Sequence, residues 1–167
     1  MPPLNTFDIT SEVDLQEVDN AINQARKEVA QRYDFKGSPA AIALDQKDRT
    51  LTLTAEDKFK IGALWEILQT RMVRRNVPIK NLKPADIEPA AGGTVRQVFT
   101  LQVGIPTDTS REIVKFLKDA KLKKVQASIQ GDQVRVQSPS RDELQQAIQL
   151  LKSHDFGIAL QFGNYRS

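Results

Sequence analysis

The sequence predicts an α+β fold, a tandem duplication of a ferredoxin-like βαββαβ domain, each copy a four-stranded antiparallel sheet with two helices on one face. Three observations predict it. Four segments carry apolar residues at helical spacing, seven short segments alternate apolar with polar residues, and the order strand, helix, strand, strand, helix, strand runs through the chain twice.

The first strand carries Phe7 and Ile9. Leu15, Val18, Ile22, Ala25 and Val29 then step by three and four, which puts them on one face of a helix running roughly from Asp14 to Arg32. Ile42/Leu44 and Leu51/Leu53 form a hairpin about the turn Asp45 to Arg49, and the helix from about Asp57 to Arg74 buries Ile61, Leu64, Ile67, Leu68 and Met72. Val77 to Leu82 reads as a weak strand. The Pro- and Gly-bearing stretch Pro84 to Gly93 reads as a linker. In the second half, Phe99/Leu101/Val103 precede a helix carrying Ile113, Phe116, Leu117 and Ala120. Val125/Ala127/Ile129 and Val134/Val136 flank the turn Gln130-Gly131-Asp132, a helix with Leu144, Ala147, Ile148 and Leu151 follows, and Ile158/Leu160/Phe162 close the set. Asp14 with Glu17, Thr109 with Glu112 and Ser140 with Glu143 have capping-box spacing, and all three are read as structural.

The two halves superpose as patterns. An offset of 98 carries Leu15, Val18 and Ile22 onto Ile113, Phe116 and Ala120, and an offset of 83 carries Leu51, Leu53, Ile61 and Leu64 onto Val134, Val136, Leu144 and Ala147. The expected domains are therefore residues 1–90 and 91–167, with the linker near 84–93. Because both sheets are short and similar, exchange of the strand at Phe7 to Ser11 or at Val95 to Val103 between the halves stays open.

Composition narrows the chemistry. The chain has no cysteine, which removes disulfides, thiolate metal sites and cysteine nucleophiles, and His154 is its one histidine. No run is long and apolar enough to span a membrane, and Met1 to Asn5 has no secretion-signal character, so the expected location is the cytoplasm. Residues 1–93 carry 13 basic against 14 acidic side chains and residues 94–167 carry 11 against 7, so the basic character belongs to the second half and suits an anionic partner as well as ordinary surface. There is no P-loop, no GxSxG elbow and no dinucleotide fingerprint. The acid pairs Glu56/Asp57 and Asp142/Glu143 open helices, where they favour the dipole. The expectation is a protein that is not an enzyme and needs neither metal nor cofactor.

Several strings stand out together: Phe7-Asp8-Ile9-Thr10-Ser11-Glu12-Val13-Asp14, Arg32-Tyr33-Asp34-Phe35-Lys36-Gly37-Ser38, Lys121 to Gln126, Ile129-Gln130-Gly131-Asp132, Val134-Arg135-Val136 and Gln161 to Arg166. In this order they resemble the bacterial YajQ family, over about residues 5 to 166. The resemblance implies a small cytosolic protein of two ferredoxin-like domains akin to RNA-recognition modules, nucleotide-binding, with some members acting as cyclic di-GMP effectors. The chain departs from the family at Ser110-Arg111-Glu112, where Ala-Lys-Lys is usual, and at Gln137-Ser138-Pro139-Ser140, where Thr-Gly-Lys is usual. The second change removes a glycine and a lysine, with Arg141 standing just beyond.

Candidate contacts follow from residue type. An RNA-recognition module stacks bases on aromatics of its central strands, and Thr50 to Ala55 and Gln133 to Gln137 have none. Lys121, Lys123 and Lys124, with Arg135 on a strand, are candidates for phosphate contact, set against the reading of solvated helix-end charges. The loop Arg32-Tyr33-Asp34-Phe35-Lys36-Gly37 combines two aromatics, two cations and a glycine; a purine ring can stack on Tyr33 while Arg32 or Lys36 meets phosphate, and Phe35 can equally pin the loop to the core. The favoured reading is non-enzymatic binding of a purine nucleotide such as cyclic di-GMP or GTP, or of short RNA. The alternative is a protein-interaction adaptor docking a regulatory protein such as a transcription factor. No membrane partner is expected, and the oligomeric state stays open.

Overall fold

A computed structural model describes residues Pro3–Ser167; Met1 and Pro2, part of the N-terminal stretch read for a targeting signal, lie outside the described residues. In chain order the elements are β1 (Asn5–Thr10), α1 (Leu15–Gln31), β2 (Ala41–Asp45), β3 (Thr50–Ala55), α2 (Lys58–Arg74), β4 (Leu82–Pro84), β5 (Glu88–Pro89), β6 (Val95–Leu101), α3 (Thr107–Asp119), β7 (Gln126–Gln130), β8 (Gln133–Ser138), α4 (Arg141–Lys152) and β9 (Gln161–Arg166), with short 3₁₀ turns at Tyr33–Phe35, Ile79–Asn81 and Ala91–Gly93.

The strands form two antiparallel sheets, one ordered β7-β8-β1-β9 and the other β2-β3-β6-β4 with β5 also paired to β6. These are the tandem ferredoxin-like sheets of an α+β protein. They are not assembled from contiguous halves. The chain divides into an inserted unit, residues 13–102, and a split unit made of the segment ending at Glu12 together with residues 103–167. β1 directly precedes α1 of the inserted unit, yet pairs β8 and β9 of the split unit; β6 directly precedes α3 of the split unit, yet pairs β3 and β4 of the inserted one. Each strand fills the inner position that the first strand of a ferredoxin-like sheet holds, so the two first strands have changed places. The boundaries 1–90 and 91–167 are therefore replaced by 12/13 and 102/103. Period-2 alternation tells which face of a strand is apolar, not which hairpin the strand joins. Phe7/Ile9 and Phe99/Leu101 offer equivalent apolar pairs, so alternation cannot choose between the slots.

Burial follows the stripes. In the split unit Phe7, Ile9, Val134 and Val136 of the sheet pack with Ile113 and Leu117 of α3 and with Leu144, Ala147, Ile148 and Leu151 of α4. In the inserted unit Val18, Ala21, Ile22 and Ala25 of α1, Ile61, Leu64, Leu68 and Met72 of α2, and Leu51, Leu53 and Phe99 of the sheet are buried. The helix starts are fixed locally. Asp14 accepts from the amides of Gln16 and Glu17, Asp57 from Lys60 N at 2.8 Å and Ser140 from Glu143 N at 3.2 Å. The Thr109–Glu112 box does not cap: α3 begins two residues earlier, behind Pro106, whose φ of −60° already matches a helix entry and which uses no side-chain cap. Val77–Leu82 is not a strand but a 3₁₀ turn leading into β4 at Leu82, and the expected linker is held down, since β5 pairs with β6 and Arg96 Nε donates to Glu88 at 2.7 Å.

Candidate functional site

The outward faces of both sheets are polar. In the split unit, register places Gln126/Gln137, Ser128/Arg135/Asp8/Gly163, Gln130/Gln133 and Thr10/Gln161 in rows away from the helices. In the inserted unit the rows are Asp45/Thr50/Thr100/Lys83, Ala43/Thr52/Val98 and Ala41/Thr54/Arg96. Neither set contains an aromatic, so neither sheet offers the stacking platform of an RNA-recognition module. Phe7 and Phe99 are buried, and Phe162 packs edge-on to Phe7 at 6.1 Å between ring centroids.

Arg135 stands on that face as one half of an ion pair. Its Nε donates to Asp8 Oδ1 at 2.9 Å, and Asn164 Nδ2 donates to Asp8 Oδ2 at 2.7 Å. The hydrogen bond from Arg135 holds the Asp8 carboxyl below the usual carboxylate range, against the opposing effect of burial. Lys121, Lys123 and Lys124 are exposed on the loop after α3, where Lys121 has φ +57° and the Lys124 amide donates to Glu143. The loop enters β7 beside Gln137, and Arg135 pairs with Ser128 two residues further along the strand.

The turn after α1 is organised differently. Arg32 ends α1, and its Nε and Nη2 donate to the two oxygens of Asp34 at 2.9 and 2.8 Å, while Glu28 lies 3.6 Å from Nη1. This pairing holds Asp34 below the usual carboxylate range. Phe35 is buried, with the Arg32 guanidinium 5.7 Å and the Lys60 ammonium 4.7 Å from its ring centroid. Lys60 Nζ also donates to the carbonyl of Asp34, which ties the turn to the start of α2. Gly37, at φ +74°, lets the chain leave the turn where a side chain would be strained. Tyr33 is thereby held 88% exposed. Phe35 pins the loop, and the Tyr33 ring stands outside it in solvent. The Lys36 amide donates to the Tyr33 carbonyl at 3.1 Å, but its ammonium has no hydrogen-bond or ion-pair partner among the described residues, and the residue lines a groove of about 530 Å³ with Arg26, Val29, Phe35, Ser38 and Ile42. Arg32, by contrast, is already engaged.

Sequence reasoning passed over two features. Phe59, the second residue of α2, is 81% exposed. Its signal was legible: it sits two residues before Ile61, roughly 200° around the helix from the buried stripe, between Lys58 and Lys60. The other is a cavity of about 260 Å³ in the split unit, lined by Tyr165, Arg141, Arg166 and Thr6 among others. Among the described residues no group of three or more His, Asp or Glu side chains is gathered as a metal centre requires, and no helix is long and apolar enough to cross a membrane.

Comparison with known proteins gives one answer along the whole chain. A protein from Koribacter versatilis, named nucleotide-binding protein, is 54% identical over 163 residues, covering 98% of each chain. One from Solibacter usitatus with the same name is 53% identical over 165 residues and 99% of each chain, and one from Acidithiobacillus ferrooxidans is 50% identical over 161 residues, covering 96% of this chain and 98% of the relative. The family model described as nucleotide-binding protein YajQ-like matches residues 5–166, which include both units and the whole of the Arg32–Gly37 turn, and this protein belongs to that family.

Proposed function

We propose that the protein binds a purine nucleotide without turning it over, and that its contact is the Arg32–Gly37 turn. A purine ring stacks on Tyr33, Lys36 meets a phosphate, and Arg32 braces the turn through Asp34. The observation that carries this reading is the presentation of Tyr33: a ring 88% exposed on a turn held by a buried neighbour, two charged clamps and a glycine. The names of the family and of its relatives support a nucleotide as the ligand class. GTP and cyclic di-GMP are the ligands to try first. Lys121, Lys123 and Lys124 are the competing phosphate contact, and Arg135, already neutralised by Asp8, is the weakest of the candidates.

The test is an equilibrium titration with GTP, cyclic di-GMP and short single-stranded RNA at two salt concentrations. Tyr33→Ala is expected to weaken binding by about 1–3 kcal/mol with little change in salt slope, and Lys36→Ala to flatten that slope. If both variants bind as the parent does while a variant with Lys121, Lys123 and Lys124 all replaced by Ala loses affinity, the site lies in the split unit instead. A second reading, a protein-interaction adaptor, is favoured by β2: it is an edge strand beside the 530 Å³ groove, suited to receive a partner's extended segment. Silence toward every nucleotide in the titration favours that reading.

A further inference from the structure

The exposure of Phe59 calls for a partner. A phenylalanine 81% open to water, on a helix whose other large apolar residues are mostly buried, contributes nothing to the core. Its segment is tied to the turn that carries the proposed stacking ring. Lys60, its chain neighbour, donates to the carbonyl of Asp34, the chain neighbour of Tyr33, so the two most exposed aromatics of the inserted unit rise from segments that touch.

The charges around them are sorted. Asp34 is held by Arg32 at 2.8–2.9 Å, Asp57 accepts from the Lys60 amide at 2.8 Å and Glu56 accepts from the Ser38 hydroxyl at 2.7 Å. Lys36 and Lys58 have no such partner among the described residues. These acids are spent on the protein's own groups, as are Arg32 and Lys60, while the side chains of Lys36 and Lys58 remain available. Aromatics interleaved with free lysines suit an unpaired nucleic-acid strand, whose bases each offer a π-face and whose backbone offers one phosphate per step. A protein hot spot is built otherwise, with apolar anchors at the centre and charges kept to the rim.

We infer that Tyr33 and Phe59 together form a two-base stacking platform for single-stranded nucleic acid, with Lys36 and Lys58 meeting its phosphates. The inference rests on the Tyr33 reading above and extends it from one base to two. It places the platform at the α1 turn and the first turn of α2, not on a sheet.

The experiment uses the full chain and two probes, GTP and a single-stranded oligoadenylate of about six nucleotides, near the span one compact module covers. Phe59→Ala is expected to lower oligonucleotide affinity about tenfold, to leave GTP affinity unchanged and to be rescued by Phe59→Trp. Tyr33→Ala is expected to lower both. Phe59 is exposed, so the fold survives the change, and unchanged far-UV circular dichroism confirms it. If Phe59→Ala binds the oligonucleotide as the parent does, the platform is overturned even where Tyr33→Ala loses GTP. If Tyr33→Ala retains GTP, the one-base reading fails; if it retains the oligonucleotide as well, the platform fails with it. A parent that binds GTP and not the oligonucleotide also overturns it.

Discussion

Single residues show how closely this fold couples backbone to side chain. Gly104 has φ +83°, and a Cβ placed there would run into the Asp132 carboxyl group, whose own backbone carbonyl accepts from the Ile105 amide at 2.9 Å. Gly104→Ala is therefore expected to cost about 1–3 kcal/mol, through a left-handed conformation and a displaced Asp132, read as a lowered urea midpoint. Asp8 is the residue that links stability to pH. Its folded pKa lies below the ordinary 3.8, so the stabilisation it supplies is present above that value and is lost as pH falls through the lower, folded one. Asp8→Asn removes this dependence. The drop in unfolding free energy between about pH 5 and pH 2 should be smaller in the variant than in the parent, and an unchanged drop would show that other carboxylates dominate acid unfolding.

At the scale of elements, the apolar stripes were legible and the pairing was not. Leu144, Ala147, Ile148 and Leu151 repeat at helical spacing, and the structure buries all four. Leu151→Ala should cost about 2–5 kcal/mol in a chemical denaturation series, and a small value would mean that the cavity collapses around the shorter side chain. Periodicity served here because a helix carries its register within itself. A strand does not: β1 and β6 meet partners remote in sequence, and both candidate slots accept the same alternation. The start of α3 was misread because Thr109–Glu112 has box spacing, whereas the helix begins at Thr107, behind Pro106 and with no side-chain cap. The candidate site divides the same way. Tyr33 and Lys36 were visible as an aromatic and a cation in a glycine-ended loop; that Arg32 is consumed by Asp34, and Arg135 by Asp8, depends on contacts that spacing does not encode.

For the whole molecule, the strand exchange makes the two units unequal as folding entities. The inserted unit is one continuous stretch, residues 13–102, with all of its strands and both of its helices. Expressed alone, this stretch should give a dispersed amide spectrum and a cooperative thermal transition. Residues 103–167 lack β1, the strand between β8 and β9, and with it the fully buried Phe7 and Ile9. They should remain unfolded alone and gain structure when a peptide covering residues 3–12 is added. Folding of 103–167 without that peptide would show that β8 and β9 close on each other directly.

The exchange also sets a timetable for synthesis. Asp8 leaves the ribosome long before Arg135, which lies 127 residues downstream, and at elongation rates of about 5–20 residues per second the wait is on the order of ten seconds. During that interval the hairpin β2–β3 and both helices of the inserted unit are complete, with the place beside β3 empty until β6 is made. β1 is the first strand made, yet it cannot be paired natively until β8 is made, because both of its partners, β8 and β9, follow β6 in the chain, so Phe7 and Ile9 wait for a core that is completed only near the end of synthesis.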